Sequence, residues 1–358
     1  MDEKNFQSGG ALGTRWRMRP CALGGVPAPR RHATSVRVAE PVTTASRSRP
    51  NCHRIDAERA PGHHPASLMS ESVPSEDEQP ARPPSFHLDA IAAARAADAT
   101  SGADPMARLV AALDLQAALP GIRRMRHWAH AALAVGAGER ALDIGSGTGS
   151  EVLEFARRVG PDGEAVGVEP NPATLAVARE RAAVAGARCR FVEADAYRLP
   201  FDDDYFDAVR SERVYQHLDD PAAATAEIAR VLRPAGRVVL IDSDWQTAIL
   251  HPGDPDVVAR MIAAILEATP NARSGRFLRG RLVAAGFEID DMGSEAVIWD
   301  PAAARPMFDE AGGAALTREV ITEQERDDLV AAIEAGVAVG DYHLSVTMFA
   351  VLGHLPIR

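Results

Sequence analysis

A glycine-rich segment that follows an apolar stretch constrains the fold of this chain more than any other feature. Residues 141–149 are ALDIGSGTG, so an apolar run leads into Gly145, Gly147 and Gly149. Glycines at alternate positions let the backbone turn sharply and approach a ligand closely, because no Cβ atoms intervene. The pattern predicts a β-strand that ends in a ligand-binding loop, with Asp143 as the last polar side chain before the loop.

Around this loop, strand patterns alternate with helix patterns. Strands are predicted at 139–144, 164–169, 190–194, 205–211 and 236–242, and helices between them at 149–159, 172–185 and 221–232. Such alternation produces right-handed crossovers and a parallel sheet with helices on both faces. We therefore predict an α/β fold, a Rossmann-like doubly wound sheet.

The pattern changes after the fifth strand. Helical stretches near 254–268 and 274–285 precede a strand near 287–299, and a helical region at about 318–338 precedes a last strand at 342–352. These two additional strands make the sheet seven-stranded and mostly parallel, with a helical insertion after strand five. Before the first strand, alanine-rich helices are predicted at 91–97, 106–119 and 122–135.

The first 85 residues differ in composition from the rest. They hold 11 of the 25 prolines and show little periodicity, which is typical of segments that cannot bury enough apolar surface to fold. Three interpretations remain open: a disordered tail, a transit-like leader, or an extension upstream of the true start, with Met69 as an internal start. We predict a folded domain at 86–358, preceded by a disordered or spurious extension at 1–85.

Charge and cysteine content narrow the class of partner. Residues 86–358 carry 27 Lys and Arg against 41 Asp and Glu, an acidic balance that argues against nucleic acid as a partner. Cys21, Cys52 and Cys189 lack metal-ligand spacing, so no metal site is expected. No run of about 18 apolar residues occurs, so no membrane span is expected, and the location predicted is cytoplasmic.

Two further acidic residues follow predicted strands, and they narrow the class of ligand that the site can bind. Glu169 ends the second strand, where a carboxylate can accept hydrogen bonds from both hydroxyls of a ribose. Asp195 ends the third, where it can accept from an adenine amine while the Ala196 N–H donates to a ring nitrogen. An anionic residue two positions before Gly145 suits a ligand with an ammonium group rather than the diphosphate of a dinucleotide.

The chain resembles class I S-adenosylmethionine-dependent methyltransferases, the group that includes ubiquinone/menaquinone C-methyltransferases and many small-molecule enzymes. The motifs that carry the resemblance are ALDIGSGTG (141–149), VGVEPN (through Asn171), VEADAYRLPFDDDYFDAV (192–209) and LRPAGRVVLID (232–242), and the similarity covers about residues 105–356. It implies S-adenosylmethionine as cofactor. Asp143 and Gly145 would contact its methionine end, Glu169 its ribose, and Asp195 with Ala196 its adenine, and Gly147 would also bind the cofactor.

His217 is the candidate catalytic base. It lies just past the fourth strand, near the methyl position that the resemblance implies, and its pKa range suits proton transfer. Asp242 and Asp244 are candidates to orient it, and packing or helix capping is the alternative role for His217. Arg124, on the helix before the first strand, is either a partner of the methionine carboxylate or a solvated side chain.

The acceptor is predicted mainly by exclusion. Amino-methylating nucleic-acid enzymes of this fold carry an Asn/Asp-Pro-Pro-aromatic run after strand four, whereas this chain has SERV at 211–214. A Pro-Cys nucleophile is also absent from the predicted domain at 86–358. We therefore expect a small-molecule acceptor. Two alternatives stay open at this point: a non-catalytic module that binds S-adenosylmethionine, and an NAD-type oxidoreductase, which the glycine spacing and Asp195 disfavour.

Overall fold

The structure is a computed structural model that describes residues 105–357. The segment predicted to be disordered or spurious, 1–85, lies outside the described residues, as does the helix predicted at 91–97. The domain boundary at residue 86 therefore stays a prediction.

The described part of the chain folds around one mixed sheet. Its strands are β1 (Arg140–Ile144), β2 (Glu164–Val168), β3 (Arg190–Val192), β4 (Phe206–Glu212), β5 (Leu232–His251), β6 (Glu288–Ile298) and β7 (His343–His354). Their order is β3-β2-β1-β4-β5-β7-β6, with β7 antiparallel to both neighbours and the other pairs parallel. This confirms the predicted seven-stranded, mostly parallel α/β sheet.

Helices cover both faces of the sheet. They are α1 (Pro105–Ala118), α2 (Pro120–Leu133), α3 (Ser150–Val159), α4 (Pro172–Ala185), α5 (Pro221–Val231), α6 (Pro255–Ala268), α7 (Ser274–Ala284), α8 (Pro301–Thr317) and α9 (Glu323–Val339). Six begin with proline, whose fixed φ suits the first helical position. The apolar sides of α2, α3 and α4 pack on one face of the sheet, and those of α5 and α7 on the other.

Helix α8 was not predicted from the sequence. Pro306, Gly312 and Gly313 lie inside it, and both residue types weaken helix propensity. Packing compensates, because small side chains of α8 join α6 and α9 in a separate apolar cluster. That cluster includes Val257, Met261, Ala311, Ala315 and Leu329. The insertion after β5 is therefore part of a helical layer to which the segment between β6 and β7 also contributes.

The strand order also fixes where a ligand can approach. From β1 the chain leads outward to β2 and β3, and then returns to the other side of β1 with β4. Open α/β sheets bind ligands at such a reversal, outside the carboxyl ends of the strands. The glycine loop follows β1 at this position. Among the helices that the structure describes, none is long and apolar enough to cross a membrane.

Candidate active site

The three glycines of the loop after β1 have different structural roles. All three adopt left-handed backbone angles, with φ of 71° at Gly145, 50° at Gly147 and 83° at Gly149. A Cβ at Gly145 would collide with Val214, and one at Gly149 would lie 2.7 Å from Phe191 Cζ. A Cβ at Gly147 would meet no atom within 4 Å. Packing thus requires glycine at 145 and 149, whereas Gly147 faces open space.

Glu169, directly after β2, ties the loop to the neighbouring strand. Its side chain is buried, and the N–H groups of Gly147 and Asn171 donate to its two carboxylate oxygens, each at 3.1 Å. Burial raises the pKa of Glu169, and the two backbone hydrogen bonds oppose that rise. A carboxylate offers about four lone-pair sites, so each oxygen keeps an acceptor site for a ligand hydroxyl.

Asp195 is exposed and follows β3 at the edge of the sheet where Glu169 lies. Strand β3 ends at Val192, so Asp195 belongs to the following turn rather than to the strand end that the sequence predicted. Its Oδ1 accepts from the N–H groups of Tyr197 (2.8 Å) and Arg198 (3.0 Å), which fixes the turn. Ala196 is buried beside it.

Asp143 is buried at the end of β1 and is held by a residue that sequence reasoning missed. In the parallel pairing of β1 with β4, Asp143 lies opposite Arg210, and Arg210 Nη1 donates to Asp143 Oδ1 at 3.0 Å. Both side chains are 2% exposed. The signal that was available is the alternation of Arg210 and Glu212 along β4, because alternate strand residues share a face.

Arg126, rather than Arg124, is the arginine of α2 that reaches this site. Arg124 is exposed and forms an ion pair with Glu295 on β6. Two residues further on, Arg126 binds Glu212 at 2.9 Å and Glu151 at 3.0 Å. The sequence-based choice of Arg124 as a cofactor partner therefore has no support in these contacts, and Arg126 is the arginine beside the glycine loop.

His217 ends a short 3₁₀ turn, Tyr215–His217, that follows β4. The N–H of His217 donates to the Val214 carbonyl at 2.9 Å, and its side chain is half-buried. Val214 is also the residue that packs against Gly145. The turn that contains His217 therefore borders the glycine loop.

Asp242 and Asp244 lie at the carboxyl end of the part of β5 that pairs with β4. Asp242 is completely buried and accepts from the N–H groups of Gln216 (2.8 Å) and Ser243 (2.7 Å). Burial raises its pKa to about 7. Asp242 thus fixes the backbone of the turn that carries His217, whereas Asp244 forms an ion pair with Arg276.

The site fits an adenosine that carries an amino-acid tail. The open space at Gly147 gives such a ligand room against the loop backbone. Glu169, which accepts a hydrogen bond from the Gly147 N–H, keeps acceptor capacity for ribose hydroxyls. The buried carboxylate of Asp143 is a suitable partner for an ammonium group. S-adenosylmethionine has this composition. In the range 105–357, no group of three or more His, Cys, Asp or Glu side chains is arranged to hold a metal ion.

Known proteins share this part of the chain. Residues 142–240 match a family model described as a methyltransferase domain. An uncharacterized methyltransferase of Schizosaccharomyces pombe is 34% identical over 170 residues, which is 45% of this chain and 61% of that protein. A ubiquinone/menaquinone biosynthesis C-methyltransferase of Stutzerimonas stutzeri is 34% identical over 169 residues, 42% of this chain and 66% of the relative.

A third relative is the demethylmenaquinone methyltransferase of Thermus thermophilus. It is 42% identical over 104 residues, which is 29% of this chain and 47% of that protein. The chain thus spans less than two thirds of each of these curated relatives. The region that matches the family model contains the glycine loop, Glu169 and Asp195, and it ends within β5.

Proposed function

From its membership of the class I S-adenosylmethionine-dependent methyltransferases, we propose that this chain transfers a methyl group from S-adenosylmethionine to a small-molecule acceptor. The observation that carries the proposal is the buried Glu169 carboxylate. This carboxylate accepts a hydrogen bond from the N–H of Gly147, the glycine whose Cβ position is open. The group proposed to bind the ribose is therefore attached directly to the loop.

The cofactor supplies a methyl group on a sulfonium, which a nucleophile can displace. The protein's residues position that group. Glu169 binds the ribose hydroxyls, Asp195 accepts from the adenine amine, and the Ala196 N–H donates to a ring nitrogen. Asp143 binds the ammonium at the methionine end. Because displacement is sensitive to alignment, holding the cofactor at these separate points contributes a large part of the rate enhancement.

His217 is the base in this proposal. When the acceptor nucleophile carries a proton, the imidazole would take that proton as the acceptor is methylated. Asp242 assists by fixing the turn through the Gln216 N–H. The position of the turn beside Val214 and the glycine loop supports this role.

Three observations favour a small molecule over nucleic acid as the acceptor. The acidic balance of 86–358 opposes binding to a phosphate backbone. The SERV segment at 211–214 lacks the Pro-Pro-aromatic run of amino-methylating nucleic-acid enzymes. Two of the relatives are named for ubiquinone or menaquinone methylation, so small apolar quinone-like compounds belong in the first acceptor panel.

Transfer of label from methyl-labelled S-adenosylmethionine into fractionated metabolite extracts tests the proposal. We expect a labelled small molecule and stoichiometric S-adenosylhomocysteine with the wild-type chain. His217→Asn should lower the turnover at least about tenfold with little change in cofactor affinity, since a general base contributes about 10²–10⁴ in rate. His251→Asn, at an exposed histidine paired with Asp341, is the matched control and should leave turnover unchanged. Tight cofactor binding without product in any fraction would instead indicate a non-catalytic binding module.

A further inference from the structure

Arg210 is the largest side chain that the described part of the chain buries completely. It lies in β4, directly opposite Asp143 in the parallel register with β1. Cross-strand partners in register direct their side chains to the same face of a sheet. The pairing of Arg210 with Asp143 is therefore built into the strand register rather than into a flexible loop.

One guanidinium is shared among three carboxylates. Arg210 Nη1 donates to Asp143 Oδ1 at 3.0 Å, while Nη2 bonds to Glu212 and lies 3.6 Å from Glu151 Oε2. Arg126 is a second cation for two of these acids, with Glu212 at 2.9 Å and Glu151 at 3.0 Å. Among the ion pairs of residues 105–357, Asp143 takes part only in the one with Arg210.

Of the three carboxylates around Arg210, Asp143 is the one whose pKa is raised. Burial, with Glu151 and Glu212 nearby, raises the pKa of Asp143 to about 6 although Arg210 lowers it. The opposite holds for Glu151, where the charges of Arg210 and Arg126 and a hydrogen bond from His130 overcome burial and lower the pKa to about 2. Without Arg210, Asp143 would be a buried carboxylate among like charges, which favours its neutral form.

Charged and titratable groups on several elements face Asp143 or the carboxylates beside it. These are Arg126 and His130 on α2, Glu151 on α3, Glu169 after β2, Arg210 and Glu212 on β4, and Arg213 directly after β4. Of these groups, Arg210 is the one that donates a hydrogen bond to the Asp143 carboxylate in the part of the structure described.

We propose that Arg210 is a positioning residue of the cofactor site, which keeps Asp143 ionised and oriented so that the carboxylate can bind the ammonium group of S-adenosylmethionine. The inference rests on the proposed function. Arg210 engages Oδ1 of Asp143, so Oδ2 is the oxygen that meets the ligand. Arg210 itself does not touch the cofactor in this account, because it acts through Asp143.

Calorimetric titration from pH 5.5 to 9 tests the proposal with two ligands. S-adenosylhomocysteine carries the ammonium group, whereas 5′-methylthioadenosine has the same adenosine but lacks the amino-acid part. For Arg210→Met, we expect S-adenosylhomocysteine affinity at pH 7 to fall about tenfold or more and to recover as the pH rises, because Asp143 must then lose its proton without a cation beside it. The affinity for 5′-methylthioadenosine should change less than about twofold.

Three further variants complete the test. Arg210→Lys keeps the charge and should shift the pH profile less than Arg210→Met does. Asp143→Asn should bind S-adenosylhomocysteine weakly and without the pH response that Asp143 causes. Arg190→Met removes an exposed guanidinium that is paired with Glu164, so it is the matched control and should behave as the wild type.

The outcomes distinguish a failure of the proposed function from a failure of the inference about Arg210. If wild type binds neither S-adenosylmethionine nor S-adenosylhomocysteine, the proposed function fails. If wild type binds but Arg210→Met keeps its affinity and pH profile, the function stands and the inference is overturned. An equal loss for both test ligands in a folded variant also overturns it, since that indicates collapse of the whole site. If Arg210→Met does not fold, Arg210→Gln, which also removes the charge, takes its place, and a pH profile identical to wild type in that variant contradicts the proposal.

Discussion

Replacement of Gly147 by alanine separates the needs of the ligand from those of the fold. Gly147 has φ of 50° and no atom within 4 Å of the position that a Cβ would take. Gly186, at the carboxyl end of α4, has φ of 60° and an equally open Cβ position. Alanine at either site meets the same backbone restriction and no clash, so Gly186→Ala is a matched control for Gly147→Ala.

The two variants should cost the same stability. Placing a residue with a Cβ in the left-handed region costs about 1–2 kcal/mol. For a folded region of this size, 1 kcal/mol corresponds to a decrease of about 2–4 °C in melting temperature. Both variants should therefore melt a few degrees below wild type, with similar values.

Only Gly147→Ala should weaken cofactor binding. The added methyl group projects into the space over the loop, and forcing a methyl group into an occupied site costs about 1–3 kcal/mol, which is about a 5- to 150-fold loss of affinity. Thermal unfolding gives the first quantity, and calorimetric titration with S-adenosylmethionine gives the second. Equal cofactor affinity in Gly147→Ala and Gly186→Ala would refute the assignment of this space to the ligand.

Three other predictions follow from the site. Glu169→Ala and Asp195→Ala should each weaken S-adenosylmethionine binding by about 1–3 kcal/mol in calorimetry, and unchanged affinity in both would refute the site assignment. Arg126→Gln should lower the free energy of unfolding, measured in urea, by about 3 kcal/mol, because it removes a cation that balances the charge of buried carboxylates. Arg124→Gln, at an exposed ion pair, should lower it by less than about 1 kcal/mol. Equal losses in the two variants would contradict the difference in burial. Burial raises the pKa of Asp242 from its ordinary value near 4 to about 7, so the folded state binds the extra proton between these values and wild-type stability should fall as the pH rises through this window. Asp242→Asn should lose that decrease in urea unfolding between pH 5 and 8, and an unchanged slope would count against it.

The sequence predicted the features that depend on local pattern. The alternation of strand and helix patterns predicted the sheet. The end of the second predicted strand located Glu169 at the edge of the sheet where the glycine loop lies. Asp195 was displaced from its predicted strand end, because β3 stops at Val192 and a turn fixed by the Asp195 side chain follows. The glycine pattern located the loop but did not distinguish Gly147 from the two glycines that packing requires.

What the sequence did not predict depends on contacts between distant residues. Arg210 meets Asp143 across 67 residues, and only the return of β4 to the side of β1 brings them together. On α2, the choice between Arg124 and Arg126 depends on which side of the helix faces the loop. Helix α8 contains proline and glycine, so its stability comes from packing against α6 rather than from propensity.

A crystal structure of the chain with S-adenosylhomocysteine tests the central claim most directly. We predict that the ligand lies over Gly147, with its ribose hydroxyls on Glu169, its adenine amine on Asp195 and its ammonium on Asp143. Density for the adenosine elsewhere on the chain, or a ribose that does not contact Glu169, would contradict it.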